Sequence, residues 1–200
     1  MIMTTTGPSG RLLAVSTAQL QRAIGHDVPG GVAEEINDVV WAAQICTHLE
    51  LAHFVGQCAY ECAYFHRYDE TTVPGQYEFR LDLGNTDPGD GFKFHGRGAI
   101  QLTGRRNYTR FCEWLMSQST GALGFHPVDV VEQPEVLVQP PYRWLAAAWF
   151  WRTHPNLRRL SDEDDVTGVT RIITGAQTPG DKQGLQTRIG LVDRMIEVLG

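Results

Sequence analysis

Residues Gly84–Tyr108 read GNTDPGDGFKFHGRGAIQLTGRRNY, and no other part of the chain constrains its architecture as tightly. The first half carries neither a helical nor a strand period. Gly96, Gly98 and Gly104 permit close backbone approach. Between and after them, Gln101, Thr103 and Asn107 offer amide and hydroxyl groups at intervals of two and four, suited to gripping sugar hydroxyls and N-acetyl groups, to positioning a water, or to satisfying the backbone of a tight turn. The glycines do not form a nucleotide loop, because the G-K-[ST] ending is missing and no strand pattern precedes them. The run without periodicity reaches back to Asp69, and a loop of that length inside a compact domain is more often functional than accidental.

Outward from this stretch the chain reads as helices. Upstream, Ser16 and Gln19 match a capping box, with Leu20, Ala23 and Ile24 on one face and Gly25 as the stop. A second helix is predicted from Val32 to about Thr47, with Ile36, Val39, Val40, Ala43 and Cys46 inward. A third covers Leu49 to Phe65, placing Gln57 and Glu61 one turn apart. Downstream, helical spacing returns over Arg105–Ser117, and Tyr142–Thr153 (YRWLAAAWFWRT) is apolar on nearly all sides, as in a helix buried mid-molecule. Trp144, Trp149 and Trp151 therefore read as core rather than as a sugar-stacking platform. Ser161 with Asp164 would cap a helix over Asp165–Ile173, and Gly184–Leu199 ends the chain with Leu185, Ile189, Val192, Ile196 and Leu199 inward. Only Gly75–Leu83 hints at a hairpin. The sum is a mostly α domain of about eight helices.

Composition narrows the function classes. The 200 residues are 42% hydrophobic and 20% charged, a globular balance, and 17 Lys and Arg against 23 Asp and Glu leave a net charge of −6. That excess of acid argues against nucleic acid as a partner. No apolar run reaches the roughly 20 residues of a membrane span, so membrane insertion is not expected. Residues 1–10 read as a flexible arm and 11–200 as one domain. The start lacks the pattern of a secretory signal, so if the protein works outside a cell something else carries it there. Cys46, Cys58, Cys62 and Cys112 make no C-x-x-C pair; they read as structural thiols, with zinc the alternative for Cys58 and Cys62. No metal or cofactor is expected.

Chemistry points to carboxylates. Glu61 sits among Phe54, Val55, Ala59, Tyr60, Ala63 and Phe65, surroundings expected to desolvate it and favour a general acid. Glu70 follows in a polar segment that would leave it ionised, so the two divide as glycosidic hydrolysis requires. Glu78 is a second candidate for the base. The competing reading pairs Glu61 with Arg67 or another arginine.

The run Gly84–Tyr108 resembles the signature of glycoside hydrolase family 19, which holds plant-type chitinases and chitinase-like phage endolysins. His53–Glu61 (HFVGQCAYE) resembles the family helix ending in its acid, and Trp149–Phe150–Trp151, VTRIITGA and Gly184–Gly190 (GLQTRIG) resemble its closing segments. The resemblance implies a lysozyme-like, two-lobed helical domain with a substrate groove and at most a small β-hairpin. It makes Glu61 the acid, Glu70 the base that activates a water on the opposite sugar face, and Thr103 a holder of that water. Gln101, Asn107, Tyr108, Arg97 and Arg188 become substrate-binding residues, with Arg188 helping to keep the base ionised. Two departures stand out: Tyr60-Glu61-Cys62 replaces a His-Glu-Ser/Thr triplet, and Ile173-Thr174-Gly175-Ala176 replaces I-N-G-G. Compact loops and RLDLGNTDPGDG look more like lysins than plant enzymes. The substrate implied is peptidoglycan, cleaved at the β-1,4 bond between amino sugars with inversion, by a monomer. Chitin, or a non-catalytic sugar-binding module on the same scaffold, are the alternatives.

Overall fold

The computed structural model describes residues 13–71, 74–118, 126–175 and 182–200; the arm read at residues 1–10 lies outside them. Helices make up most of the described residues. α1 (Thr17–Ile24) carries the expected capping box: Ser16 Oγ accepts from Gln19 N–H and Gln19 Oε1 accepts from Ser16 N–H at 2.9 Å. Gly25 ends it at φ 74°, a left-handed position natural for glycine. α2 (Val32–Val40) stops earlier than its apolar spacing predicts. The chain turns at Gln44, φ 57°, and still buries Ala42, Ala43 and Ile45 from the turn, which is why the spacing looked continuous. Cys46, expected inside, is exposed.

α3 (His48–Glu61) is capped by Thr47, whose hydroxyl accepts from Glu50 N–H at 3.0 Å. Every residue from Glu50 to Ala59 is buried, so this helix passes through the interior. Its neighbour is α9 (Lys182–Leu199), and the two meet where Gly56 faces Val192. A Cβ on Gly56 would stand 2.8 Å from Val192 Cγ2 and 3.2 Å from Val192 N, so only hydrogen permits that approach. α9 shows a second shift from expectation. Its buried stripe runs Gly184, Arg188, Leu191, Val192, Met195 and Leu199, leaving Leu185, Ile189 and Ile196 half-buried. The helix is rotated to turn Arg188 inward.

The aromatic helix α6 (Tyr142–Thr153) joins the two sides of the molecule. Trp144, Trp149 and Trp151 are buried in the core. Trp151 meets Phe54 of α3 edge-on at 5.3 Å, Trp144 meets Phe65 at 5.8 Å, and Trp149 meets Phe111 of α5 (Arg105–Ser117) at 5.6 Å. Each such pair adds about 0.5–1.5 kcal/mol beyond the area it buries. α7 (Asn156–Asp162), which spacing did not reveal, and α8 (Val166–Thr174) complete that side. The cap of α8 is Asp165, accepting from Gly168 N–H at 2.8 Å; Ser161 instead donates to Leu157 O inside α7.

On the other side, the long aperiodic run contains short elements rather than a hairpin. Gly75–Leu83 forms 3-10 turns at Pro74–Tyr77 and Leu81–Leu83, followed by the single-turn α4 (Asp90–Lys93). Among the described residues, strand pairing is limited to isolated bridges between Asp69 and Arg97 and between Arg97 and Leu102. Turn hydrogen bonding suits this segment because its glycines and prolines cannot sustain a ladder. No helix among the described residues is long and apolar enough to cross a membrane. The cysteines are free; burial pushes the Cys62 thiol up to about 12, so it stays protonated and behaves as a small apolar side chain.

The contact at Gly56 yields a test. Gly56→Ala should force α3 and α9 apart and cost about 1–3 kcal/mol, seen as a fall of several degrees in the melting temperature; an unchanged midpoint would contradict the close approach.

Candidate active site

A groove of about 680 Å³ opens between the two sides, and Glu61 and Glu70 both line it. Glu61 is the last residue of α3. Its Oε1 accepts from Arg188 of α9, a guanidinium that is 5% exposed and donates through its other nitrogen to Gln57 Oε1 at 2.6 Å. Gln57 in turn donates to Thr170 of α8 at 3.1 Å, and Arg188 lies 4.0 Å over the ring of Tyr60. The one-turn spacing of Gln57 and Glu61 thus presents two acceptors to one buried cation. The environment of Glu61 is therefore not purely apolar, and the arginine partner foreseen in the competing reading exists as Arg188, not Arg67.

After Glu61 the chain reverses sharply. Ala63, Tyr64 and Phe65 hold φ of 50°, 58° and 71°, each costing an L residue roughly 1–2 kcal/mol. Burial of Phe65 against Trp144 holds the turn. It brings Glu70 back to the groove, where Glu70 N–H donates to Gly96 O at 2.9 Å and Gly96 N–H returns a bond to Glu70 Oε2 at 3.0 Å. Glu70 Oε1 accepts from Tyr77 OH at 2.9 Å and from Gln76 at 3.2 Å. Desolvation, with the carboxylate beside it, pushes the Tyr77 phenol up to about 12, so it remains a donor at any working pH.

Three side-chain oxygens converge on the Cα of Gly96, which is buried. The point where a Cβ would sit lies 3.0 Å from Glu70 Oε2, 3.0 Å from Gln101 Oε1 and 3.3 Å from Thr103 Oγ1. Thr103 donates its hydroxyl proton to Gln101 O at 2.9 Å, leaving its lone pairs as acceptors. Gln101 reaches this arrangement from a left-handed backbone, φ 52°. Asn107 lines the groove and donates to Thr103 O at 2.9 Å, bracing the same segment.

Comparison with known proteins agrees with this fold. No family model matches the chain. It is 26% identical over 194 residues to a Haemophilus influenzae "Glycosyl hydrolase family 19 domain-containing protein", covering 82% of this chain and 88% of that one. It is 27% identical over 141 residues to the acidic 26 kDa endochitinase of Solanum lycopersicum, covering 70% of this chain but only 46% of the tomato protein. The fold matches chitinase C from Streptomyces griseus with a TM-score of 0.70 at 19% identity, over 93% of this chain and 76% of that one. The chain is similar in sequence to a family 19 glycosyl hydrolase domain and in fold to chitinases.

Within the groove, not every residue expected at the sugar is there. Tyr108 is fully buried, donating to His95 O at 2.7 Å and accepting from Arg97 at 3.1 Å. Arg97, 7% exposed, also donates to Lys93 O at 2.8 Å and pairs with Asp69. Both brace the Phe94–Gly104 segment from behind and neither lines the groove, which corrects their reading as substrate contacts. Glu78 is likewise committed elsewhere: its two oxygens accept from Gly89 N–H at 2.6 Å and Gly91 N–H at 2.8 Å, at the start of α4. Arg188 pairs with Glu61 rather than supporting Glu70. Thr174 does line the groove, with its hydroxyl donated to Thr170 O at 2.9 Å, while Ala176 lies outside the described residues.

Some groove residues gave no sequence signal. Tyr77 sits in the stretch read as a hairpin, and its bond to Glu70 depends on the 3-10 turn. Phe150 of α6 and His154, the residue just past its end, stack at 4.1 Å and both line the groove. A helix apolar on all sides hides which of its rings faces outward.

Two substitutions test this arrangement. Gly96→Ala should leave the melting temperature nearly unchanged, because side-chain tips can yield a few tenths of an ångström, yet reduce kcat by about tenfold to a hundredfold through misplaced oxygens. Ala63→Gly should raise stability by up to about 1 kcal/mol, since relief of the left-handed strain exceeds the entropy glycine adds; a lower midpoint in thermal unfolding would contradict the strained turn.

Proposed function

We propose that this protein is a family 19 glycosidase that hydrolyses the β-1,4 bonds between amino sugars of bacterial peptidoglycan, with inversion, using Glu61 as acid and Glu70 as base. The observation that carries the reading is the unlike setting of two carboxylates on one groove. Glu61 offers Oε2 to the groove while Oε1 is held by Arg188. A proton on Oε2 is compatible with that bond, and as it passes to the leaving glycosidic oxygen the negative charge develops beside a buried guanidinium already in place. Stabilisation of this kind, aimed at charge that forms during reaction, is the more effective for needing no reorganisation. Arg188 thus serves the acid, and Gln57 and Tyr60 fix the cation.

Glu70 and Thr103 line the same groove. A water there can give one hydrogen to Glu70 Oε2 and the other to Thr103 Oγ1, which has spent its own proton on Gln101 O and is left as an acceptor. That directs the water's lone pair toward the sugar. Gly96 N–H, Tyr77 and Gln76 keep the carboxylate oriented as it takes the proton. An inverting enzyme needs roughly 6.5–9.5 Å between its carboxyl groups to admit this water.

The compact segment RLDLGNTDPGDG supports a cell-wall substrate. Chitin is the second reading, favoured by the tomato endochitinase and Streptomyces chitinase among the similar proteins. Glu61→Gln should abolish release of reducing ends from purified sacculi with little change in thermal midpoint. Glu70→Gln should cost more in kcat than Glu78→Gln; the reverse order would move the base to Glu78. Mass spectrometry of the fragments identifies the sugar at the new reducing end, and a protein that releases nothing from sacculi but shortens chito-oligosaccharides is a chitinase.

A further inference from the structure

Among the residues lining the groove, between Glu61 and Glu70 in sequence, is a charged side chain that hydrolysis does not use. Arg67 is exposed and lines the groove. Its backbone is fixed at the end of the left-handed turn, with Arg67 N–H donating to Cys62 O at 2.9 Å. The other groove arginines are engaged: Arg188 by Glu61 and Gln57, and Arg80 by Asp82 at 2.7 Å. The Arg67 guanidinium has neither an ion pair nor a hydrogen bond among the described residues. The chain carries 23 acidic residues against 17 Lys and Arg, so partners for a surface arginine are plentiful. A cation left unpaired in the groove is available to what the groove receives.

We propose that Arg67 is a specificity residue that pairs with a carboxylate carried by the glycan, so that the groove prefers an amino-sugar polymer with acidic side arms over a neutral one. The proposal deepens the peptidoglycan reading above and rests on it. A β-1,4 polymer of N-acetylated amino sugars is uncharged. In peptidoglycan, alternate sugars bear a lactyl arm whose attached peptide brings carboxylates to the flank of the strand. A planar guanidinium matches a carboxylate with two parallel hydrogen bonds, a geometry that lysine lacks. At the edge of a groove such a pair acts mainly on substrate capture and on its salt dependence.

The test compares the full chain with Arg67→Gln and Arg67→Lys on three substrates: purified sacculi, the same sacculi with their carboxylates converted to methylamides, and a soluble chito-oligosaccharide. In Arg67→Gln the ratio of kcat/KM on native sacculi to that on the oligosaccharide should fall about fivefold to tenfold, with the loss in KM. Arg67→Lys should recover part of it. Methylamidation should slow the wild-type protein by a similar factor, add nothing to the loss in Arg67→Gln, and remove the salt dependence of the wild type. An equal loss on sacculi and oligosaccharide would overturn the proposal, because Arg67 would then be part of the groove wall for any substrate. Equal wild-type rates on native and amidated sacculi would also overturn it while leaving the peptidoglycan reading in place. A wild-type protein that cleaves the oligosaccharide but no form of sacculus removes the peptidoglycan reading and this proposal together.

Discussion

A single buried guanidinium ties the helical frame to the groove. Arg188 gives up water to sit between α3 and α9, and an arginine so buried is tolerated only when its donors are met. Glu61, Gln57 and the face of Tyr60 meet them, and Thr170 holds Gln57 from a third helix. Buried ion pairs are weak contributors to net stability, because desolvation consumes most of the attraction. Their value here is positional. The same contacts that satisfy Arg188 fix the carboxylate at the end of α3, and they set the rotation of α9 against the helix it packs on.

The opposite wall of the groove is built on a different principle. Its backbone is irregular, and irregular buried backbone must be satisfied by side chains. Arg97, Tyr108 and His95 do this from beneath: Arg97 bonds Lys93 O, Tyr108 bonds His95 O, and His95 Nδ1 contacts Phe92 O at 2.6 Å. Asn85 adds two more, donating to Tyr77 O and accepting from Arg105 N–H, each at 2.8 Å. With the polar work done below, the upper side is left to Gln101, Thr103, Asn107 and Glu70. The residues that look most chemical in the motif therefore divide into those that touch the groove and those that hold it up.

Much of the frame was legible in the sequence. The cap at Ser16, the stop at Gly25, the helices over Arg105–Ser117 and Tyr142–Thr153, and the tryptophan core all follow from local rules: a capping box, an αL glycine, a repeat of three and four. Failures occurred where a buried residue belonged to a turn, as at Ile45 beyond α2, or where a polar residue faced inward, as with Arg188 on α9. Periodicity counts apolar side chains and is blind to a charge neutralised by a distant partner. Over Gly75–Leu83, alternation across a few residues suits a hairpin and 3-10 turns alike, so periodicity does not separate the two.

For the site, the sequence alone determined which residue types and spacings were present: Gln57 and Glu61 one turn apart, Glu70 in a polar loop, and the Gly96–Asn107 run that, by resemblance, pointed to family 19. Local chemistry and spacing suffice for that much. Tertiary structure decided the partners. Arg188 comes to Glu61 from 127 residues away, Gly96 reaches Glu70 across 26, and Glu78 turns aside to bind two backbone amides. Such pairings follow from how helices dock and loops return, and burial makes them exclusive, since a desolvated donor or acceptor must take the partner the packing supplies.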